Sequence, residues 1–398
     1  MLVENATYPA DERVRHEAGA LLSAGYRVTV ISPTGSRIKL FHEVIDGVGV
    51  YRFPHPPYAH GLLGYALEYG YAMAAIFLLS LYVLAVEGFD IVHAAHPPDT
   101  FVFLGAFYRL LGKKYVMDHH DLAPELYYYA RFGGQSNQVI HRLMLWLEKK
   151  SFDWADYVIS TNESYKKIAL ERGGVESQKI SIVRNGPDLD ELSSTERNES
   201  LKQGGRLIIG YVGVMGTQDG VDNLMHAIKM IVHDFNRKDL LCVVLGTGSA
   251  LDGLKKLAIE LNIAPYVVFT GWIGDHLEVN RYLNTMDVCV APEPSDPYND
   301  RSTAAKVMEY MAAGKPVVSF DLPEHRVTAG PAGLYAHPGD VRDYAQKIIA
   351  LMDDPGRREV LGAQGRTRVL DNLAWSHQAK NLIEAYGRLT SLTSPVEG

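Results

Sequence analysis

The strongest chemical signal is a cation and a carboxylate one helical turn apart. In STAAKVMEYMAAGKPVVSFD, residues 302–321, a polar loop enters a helical pattern carrying Lys306 and Glu309, and Gly314-Lys315-Pro316 leads out toward a strand. Their i, i+3 spacing sets both side chains on one face. Ser302 and Thr303 stand where they could cap the helix, and its free N–H groups would face an anion. A lysine in the first turn opposes the helix dipole, at a cost of about 0.3–1 kcal/mol unless an anion binds nearby. A diphosphate would be such an anion, and Glu309 could accept both hydroxyls of a ribose. The other reading is a surface Lys–Glu pair, which is common and weak. Spacing alone leaves both open.

Two glycine turns point to the same kind of ligand. GYVGVMGTQDGVDNLMHAI, residues 210–228, takes a strand into a turn with Gly213 and Gly216 and then into a helix. Glycine permits positive φ and lets a phosphate approach the backbone. LGTGSALDGL, residues 245–254, reads G-x-G at Gly246 and Gly248, but Leu251 stands where a dinucleotide fingerprint has its third glycine. No acidic residue closes a second strand in the expected frame, which argues against a nicotinamide dehydrogenase.

A third group, MDHHDLAPELY, places Asp118, His119, His120, Asp121 and Glu125 at the end of a strand. Such a set can do acid/base work, bind a metal, or form strand-end His–carboxylate pairs. A metal would need ligands from elsewhere, for which His93 and His96 in VHAAHPP are candidates. Asp11 and Arg13, between the first strand and first helix, could face an acceptor or cap and charge that helix. There is no G-x-S-x-G elbow and no G-x-x-x-x-G-K-[ST] loop, so a serine hydrolase and a P-loop phosphotransferase find no support.

These residues sit on alternating strands and helices. RVTVISP, FDIVHAAHPP, KKYVMDHHD and ADYVISTN read as strands separated by helical patterns such as VRHEAGALLSAGY, which Gly25 can stop. Residues 186–205 are polar and rich in Ser, Glu and Gly, as a linker is. A second series then runs through RLIIGYVG, LLCVVLG, YVVFTGW, MDVCVAP and KPVVSFD. Two α/β domains with doubly wound parallel sheets, joined near residue 190, are expected. Ligands of such sheets sit beyond the carboxyl ends of the strands. MLVENATYP reads as the second half of a strand, so the first strand is either short or begins upstream.

With 398 residues, 47% apolar and 22% charged, the composition fits a soluble globular chain of two or three domains. A net charge of −8 with no basic stripe argues against nucleic acid. Cys242 and Cys289 lie in apolar runs, as buried thiols of a reducing compartment do. One stretch departs from the soluble pattern: Tyr69 to Val86 holds no charge over 18 residues. It is expected to be a buried or membrane-surface helix, and its length just reaches that of a span.

Taken together, these motifs resemble the family 4 glycosyltransferases of GT-B fold, over nearly the whole chain. DERVRHEAGALLSAGYRVTVISP, DIVHAAHPPD, DHHDLAPELY, VRNGPD, YVGVMGTQDGVDNL, VVLGTGS, FTGW and KVMEYMAAGKPVVSFD follow in family order, closest to the branch that builds bacterial surface polysaccharides. The resemblance implies two Rossmann-like domains facing a cleft. Residues 1–188 would form the acceptor side, with a C-terminal helix, 375–391, packing back on it, and 189–374 the donor side. It implies retaining transfer from a nucleotide sugar, UDP- or GDP-linked, to a glycan or lipid-linked acceptor. No metal and no cofactor beyond that co-substrate is implied. The chain would work in the cytoplasm, with peripheral contact at the inner face of the membrane.

By the same resemblance Glu309 holds the donor ribose, Lys306 faces the diphosphate, and Ser302 and Thr303 offer backbone N–H groups. Gly213, Gly216 and Gly246 form turns under the nucleotide, Thr270, Gly271 and Ile273 lie by the base, and His119 or His120 stands near the reacting sugar. Asp11, Arg13, Asp121 and Glu125 fall on the acceptor side. Two departures stand out. The family's E-x7-E pair has Arg301 at its first position, and the Arg…Lys pair after the glycine turn gives way to Gln218 and Asp219. Either Arg301 and Lys306 share charge neutralisation, or phosphate binding is weaker than in the family. The rival readings are a non-catalytic subunit that binds nucleotide sugar, and an epimerase or hydrolase on the same fold.

Overall fold

The structure is a computed structural model that describes residues 1–35, 41–55, 61–130, 134, 137–192, 196–202 and 205–391. It divides into two compact units: Met1–Leu126 with Asn137–Asn185 and Gln378–Gly398, and Tyr127–Ser136 with Gly186–His377.

In unit 1 the strands are β1 (Thr29–Pro33), β2 (His42–Ile45), β3 (Val48–Phe53), β4 (Ile91–His96), β5 (Lys114–His119), β6 (Tyr157–Ser160) and β7 (Ile180–Ile182). They run in the orders β2-β3-β1 and β4-β5-β6-β7. Leu2 joins the two groups through parallel bridges to Ile31 and Ala94. All pairings are parallel except β2 with β3. That hairpin turns at Asp46-Gly47, both at positive φ, and Asp-Gly between alternating apolar runs is its sequence signal.

The helices of unit 1 are α1 (Glu12–Ser23), α2 (Gly61–Val86), α3 (Phe101–Leu110), the single turn α4 (Ala123–Glu125), α5 (Gln138–Trp154) and α6 (Glu163–Glu171). α2, α3 and α5 each cross between parallel strands while the sheet advances in one direction. Right-handed crossovers therefore set them on one face of the sheet. The core beneath them holds Val92, Ala94, Tyr115, Met117 and Val158. Val, Ala and aromatic residues dominate because a parallel sheet is covered on both faces.

Unit 2 carries β8 (Leu207–Val212), β9 (Leu240–Leu245), β10 (Val267–Gly271), β11 (Val288–Ala291), β12 (Val317–Phe320) and β13 (Gly333–Ala336). Their order is β10-β9-β8-β11-β12-β13, parallel throughout. Strand order reverses between β8 and β11, which makes their carboxyl ends the place for a ligand. The helices are α7 (Val221–Lys229), α8 (Leu251–Glu260), α9 (His276–Thr285), α10 (Ala305–Ala312), α11 (Pro323–Ala329), α12 (Val341–Asp353) and α13 (Pro355–Arg368). A last helix, α14 (Trp375–Ser391), begins in unit 2 and continues in unit 1.

Candidate active site

At the switch point of unit 2 the backbone of three strand ends is closely packed. Gly213 N–H donates to Leu245 O at 3.0 Å, Gly246 N–H to Gly271 O at 3.1 Å, and Met215 N–H to Thr247 O at 2.9 Å. Gly246 lies at φ +129°, and a Cβ there would come within 2.0 Å of Gly213 O. No other residue fits this approach. Gly213, at φ +147°, has Lys306 Cε 3.1 Å from the place of its absent Cβ.

Lys306 reaches that turn from α10, its Nζ donating to Glu293 Oε1 at 2.5 Å, Tyr211 OH at 3.2 Å and Asp219 Oδ1 at 3.3 Å. It also lies 4.8 Å from the centre of the Tyr211 ring. Burial disfavours the ammonium, but Glu293, Tyr211 and Asp219 outweigh it and hold Lys306 well above its usual pKa. Glu293 is 5% exposed. Burial pushes its carboxyl up, Lys306 pulls it further down, and it stays below the usual value. Asp219 goes the other way: burial raises it despite Lys306 and the Gly216 N–H that donates to its Oδ2.

Glu293 was not singled out from sequence. It belongs to no motif, and the only signal is its position two residues after β11, at the carboxyl end of a switch-point strand. Ser302 and Thr303 do not cap α10 as expected. Ala304 is the N-cap and has no side-chain bond to the helix. Ser302 Oγ instead donates to Tyr298 O at 2.9 Å, and Thr303 Oγ1 to Glu324 Oε2 at 3.4 Å. Arg301 Nη1 donates to Pro297 O at 2.5 Å within the same loop. Glu309 is partly exposed on α10. Gly216 precedes a short turn that ends at Gly220, φ +62°. Thr270 and Gly271 end β10, and Ile273 is partly exposed just beyond. Between them Trp272 is 75% exposed.

In unit 1 the carboxyl end of β5 separates the two histidines. His119 is buried between the rings of Phe152 and Tyr165, at 5.3 and 5.1 Å. Neither of its ring nitrogens has a hydrogen-bond partner. Burial pushes its pKa down to about 3, so it is neutral. The His120 side chain is 16% exposed and its Nε2 contacts Asp118. Burial lowers its pKa, Asp118 more than offsets this, and the net shift is upward.

Asp118 is also held by Arg13, through Nη2 at 2.6 Å and Nε at 3.1 Å. Arg13 also meets Glu17 at 3.0 Å and the Val183 carbonyl at 2.8 Å. His93 Nε2 lies 3.2 Å from Glu17 and 3.3 Å from Asp118, and its Nδ1 2.7 Å from Tyr386 OH on α14. Ligand atoms of Glu17, Asp118 and His120 come within 4.8 Å of one another, but Arg13 already supplies the positive charge among them. His96 is bound to Asp99 and Tyr115. Asp11 caps α1 by accepting from Val14 N–H at 3.0 Å. Glu125 accepts from Arg172 at 2.6 Å, and Asp121 N–H donates to His96 O at 3.3 Å.

Two doubly wound parallel sheets, with a glycine-lined switch point in the second, define the GT-B class of glycosyltransferase. The chain belongs to the family 4 glycosyltransferases. Residues 11–191 match the model for Glycosyltransferase Family 4, and residues 206–354 that for Glycosyl transferases group 1. An uncharacterized glycosyltransferase, MJ1607, of Methanocaldococcus jannaschii is 26% identical over 392 residues, 93% of this chain and 91% of its own. Sucrose-phosphate synthase from Thermosynechococcus elongatus superposes with a TM-score of 0.80 at 20% identity, covering 96% of this chain and 94% of that one. Anabaena HepE in complex with UDP-glucose gives a TM-score of 0.72 at 14% identity, over 97% and 98%.

Proposed function

We propose that this glycosyltransferase moves a hexosyl or related sugar, with retention and without a metal, from a UDP- or GDP-sugar to a hydroxyl of a glycan or lipid-linked acceptor. The place would be bacterial polysaccharide biosynthesis in the cytoplasm, on the inner face of the membrane. The observation that carries the reading is the ammonium of Lys306, brought to the glycine turn where strand order reverses.

The donor's diphosphate is the leaving group and brings about two negative charges. Lys306 and the first-turn amides of α10 can offset them. Arg301 lies in the loop leading to α10 and adds positive charge there. Glu309 accepts from the ribose hydroxyls, and Thr270, Gly271 and Ile273 flank the base. The acceptor hydroxyl attacks the anomeric carbon from the face that the diphosphate leaves, and a donor phosphate oxygen takes its proton. His120, with a solvent-reaching ring held by Asp118, orients the transferred sugar. HepE binding UDP-glucose supports a uridine donor.

The test is a thermal-shift panel of nucleotide sugars followed by product analysis. A true donor at 100 times its Kd adds about 2.7 kcal/mol of stability, and glycoside forms only with acceptor present. Free sugar or an epimerised donor, with no glycoside, would replace this reading with hydrolysis or epimerisation. Binding without turnover would leave a non-catalytic subunit.

A further inference from the structure

α2 is apolar on the side that faces away from the protein. Ala72, Ile76, Leu79 and Val83 recur at i, i+4, i+7 and i+11 and lie in the core of unit 1. A second stripe, turned around the helix from the buried one, carries Leu67, Tyr71, Leu78 and Tyr82, which are 74, 40, 66 and 47% exposed; the Tyr82 ring also meets those of Phe41 and Tyr51 at 6.0 Å. Over Leu67–Val86 the mean hydropathy is 1.9, and only 28% of the best window is buried. A surface helix normally turns polar residues outward. A continuous apolar stripe of this length marks an interaction surface. The same geometry decides against a span, because one face of the helix belongs to the core that holds β1 and β3. It lies along a surface instead of crossing it.

α3 packs beside α2. Phe77 meets Phe107 at 5.1 Å and Ser80 Oγ meets Tyr108 OH at 2.6 Å, and α3 exposes Phe103 and Leu110 by 58 and 77%. Beyond it the rim is basic. Arg109 lies in the last turn of α3, Lys113 and Lys114 follow in the loop to β5 and at its first residue, and Arg142, Lys149 and Lys150 lie on α5. The acids paired with these cations are Asp90, Asp153 and Asp156, so the rim is net positive on a chain of net charge −8. Locally concentrated cations beside an apolar stripe complement an anionic bilayer.

We propose that unit 1 docks on an anionic lipid bilayer through the outward face of α2 and α3, with the basic residues of α3 and α5 against the headgroups. This names the partner for the membrane-side reading above and is independent of how the donor is held.

The test is flotation of the full chain with phosphatidylcholine vesicles and with phosphatidylcholine–phosphatidylglycerol vesicles, alongside its mass in solution. The chain is expected to float with the anionic vesicles, at least tenfold less with the neutral ones, and less as salt rises. Leu78→Glu with Tyr82→Glu should cut flotation at least tenfold and leave the thermal shift by nucleotide sugar unchanged. Arg142→Glu with Lys150→Glu, on the basic rim and outside the apolar stripe itself, should abolish the preference for anionic lipid, and it serves if the first variant does not fold. No flotation with either vesicle, flotation that neither variant weakens, or a dimer that Leu78→Glu dissociates would overturn the proposal. The last result would assign the face to a second copy of the chain. A donor thermal shift that persists beside failed flotation leaves the transferase reading standing, while loss of both counts against each separately.

Discussion

Lys306 Nζ stands 3.3 Å from Asp219 Oδ1, so the cation at the glycine turn arrives from a helix 87 residues further along the chain. The turn itself supplies an acid. The family resemblance places a lysine near position 219, and in the structure Lys306 reaches that position from α10. In the proposed donor site Asp219 would compete with the diphosphate for that charge, and its upward pKa shift from burial would ease the competition in part. Asp219→Asn keeps a carbonyl oxygen for Gly216 N–H and removes the charge. It should tighten donor binding about threefold to tenfold, or about 0.7–1.4 kcal/mol, in calorimetric titration. Weaker binding would mean that Asp219 shapes the turn more than it opposes the ligand.

Removing Lys306 has a second consequence, because Glu293 loses its partner at 5% exposure. Breaking a buried pair costs about 3–5 kcal/mol, so Lys306→Met alone should both unfold more easily and lose activity. Adding Glu293→Gln removes the stranded charge. The double variant should recover most of the stability, read from denaturant midpoints, while kcat/KM stays about 100-fold or more below wild type. Transfer at the wild-type rate by the double variant would take Lys306 out of the mechanism.

The architecture was legible because each strand is an apolar run and each helix has its own period and stop. The helix that carries Lys306 and Glu309 was legible because a polar loop leads into its pattern and Gly314 stops it. What sequence could not display are partners brought together only by topology. Lys306 meets Tyr211 across 95 residues because β11 ends beside β8. Arg13 meets Asp118 across 105 residues because α1 lies over the end of β5. The caps assigned to Ser302 and Thr303 failed for a local reason. The loop closes on itself through Tyr298 O, and the helix starts one residue later than those side chains could serve.

Trp272 follows Gly271, whose carbonyl accepts from Gly246 N–H, and its indole is 75% exposed at the place assigned to the base. A large aromatic is costly to leave in water without a ligand, and base–aromatic stacking contributes about 1–3 kcal/mol. Trp272→Ala should raise the Kd for UDP and UDP-sugar together by about tenfold. Trp272→Phe should restore most of the affinity. Unchanged nucleotide affinity in the alanine variant would place the base elsewhere.

His119 and His120 are neighbours with opposite electrostatics, and pH separates them. Burial holds folded His119 near pKa 3, whereas an unfolded histidine titrates near about 6.5. As pH falls below about 6.5 the unfolded chain gains a proton that the folded chain refuses. His119 therefore lowers stability progressively down to about pH 3, by about 2 kcal/mol at pH 5. His119→Phe keeps the contacts with Phe152 and Tyr165 and removes the titrating group. Its stability gain over wild type should be larger at pH 5 than at pH 8 by about 2 kcal/mol, measured by urea unfolding. His120 has the reverse sign, because Asp118 outweighs burial and raises its folded pKa. Its stabilisation is complete below about pH 6.5 and lost as pH rises through the folded value, so His120→Gln should cost most in acid. Sugar transfer should survive His119→Phe and fall steeply in His120→Gln. A folded His119→Phe enzyme without activity would reverse the assignment of the two histidines.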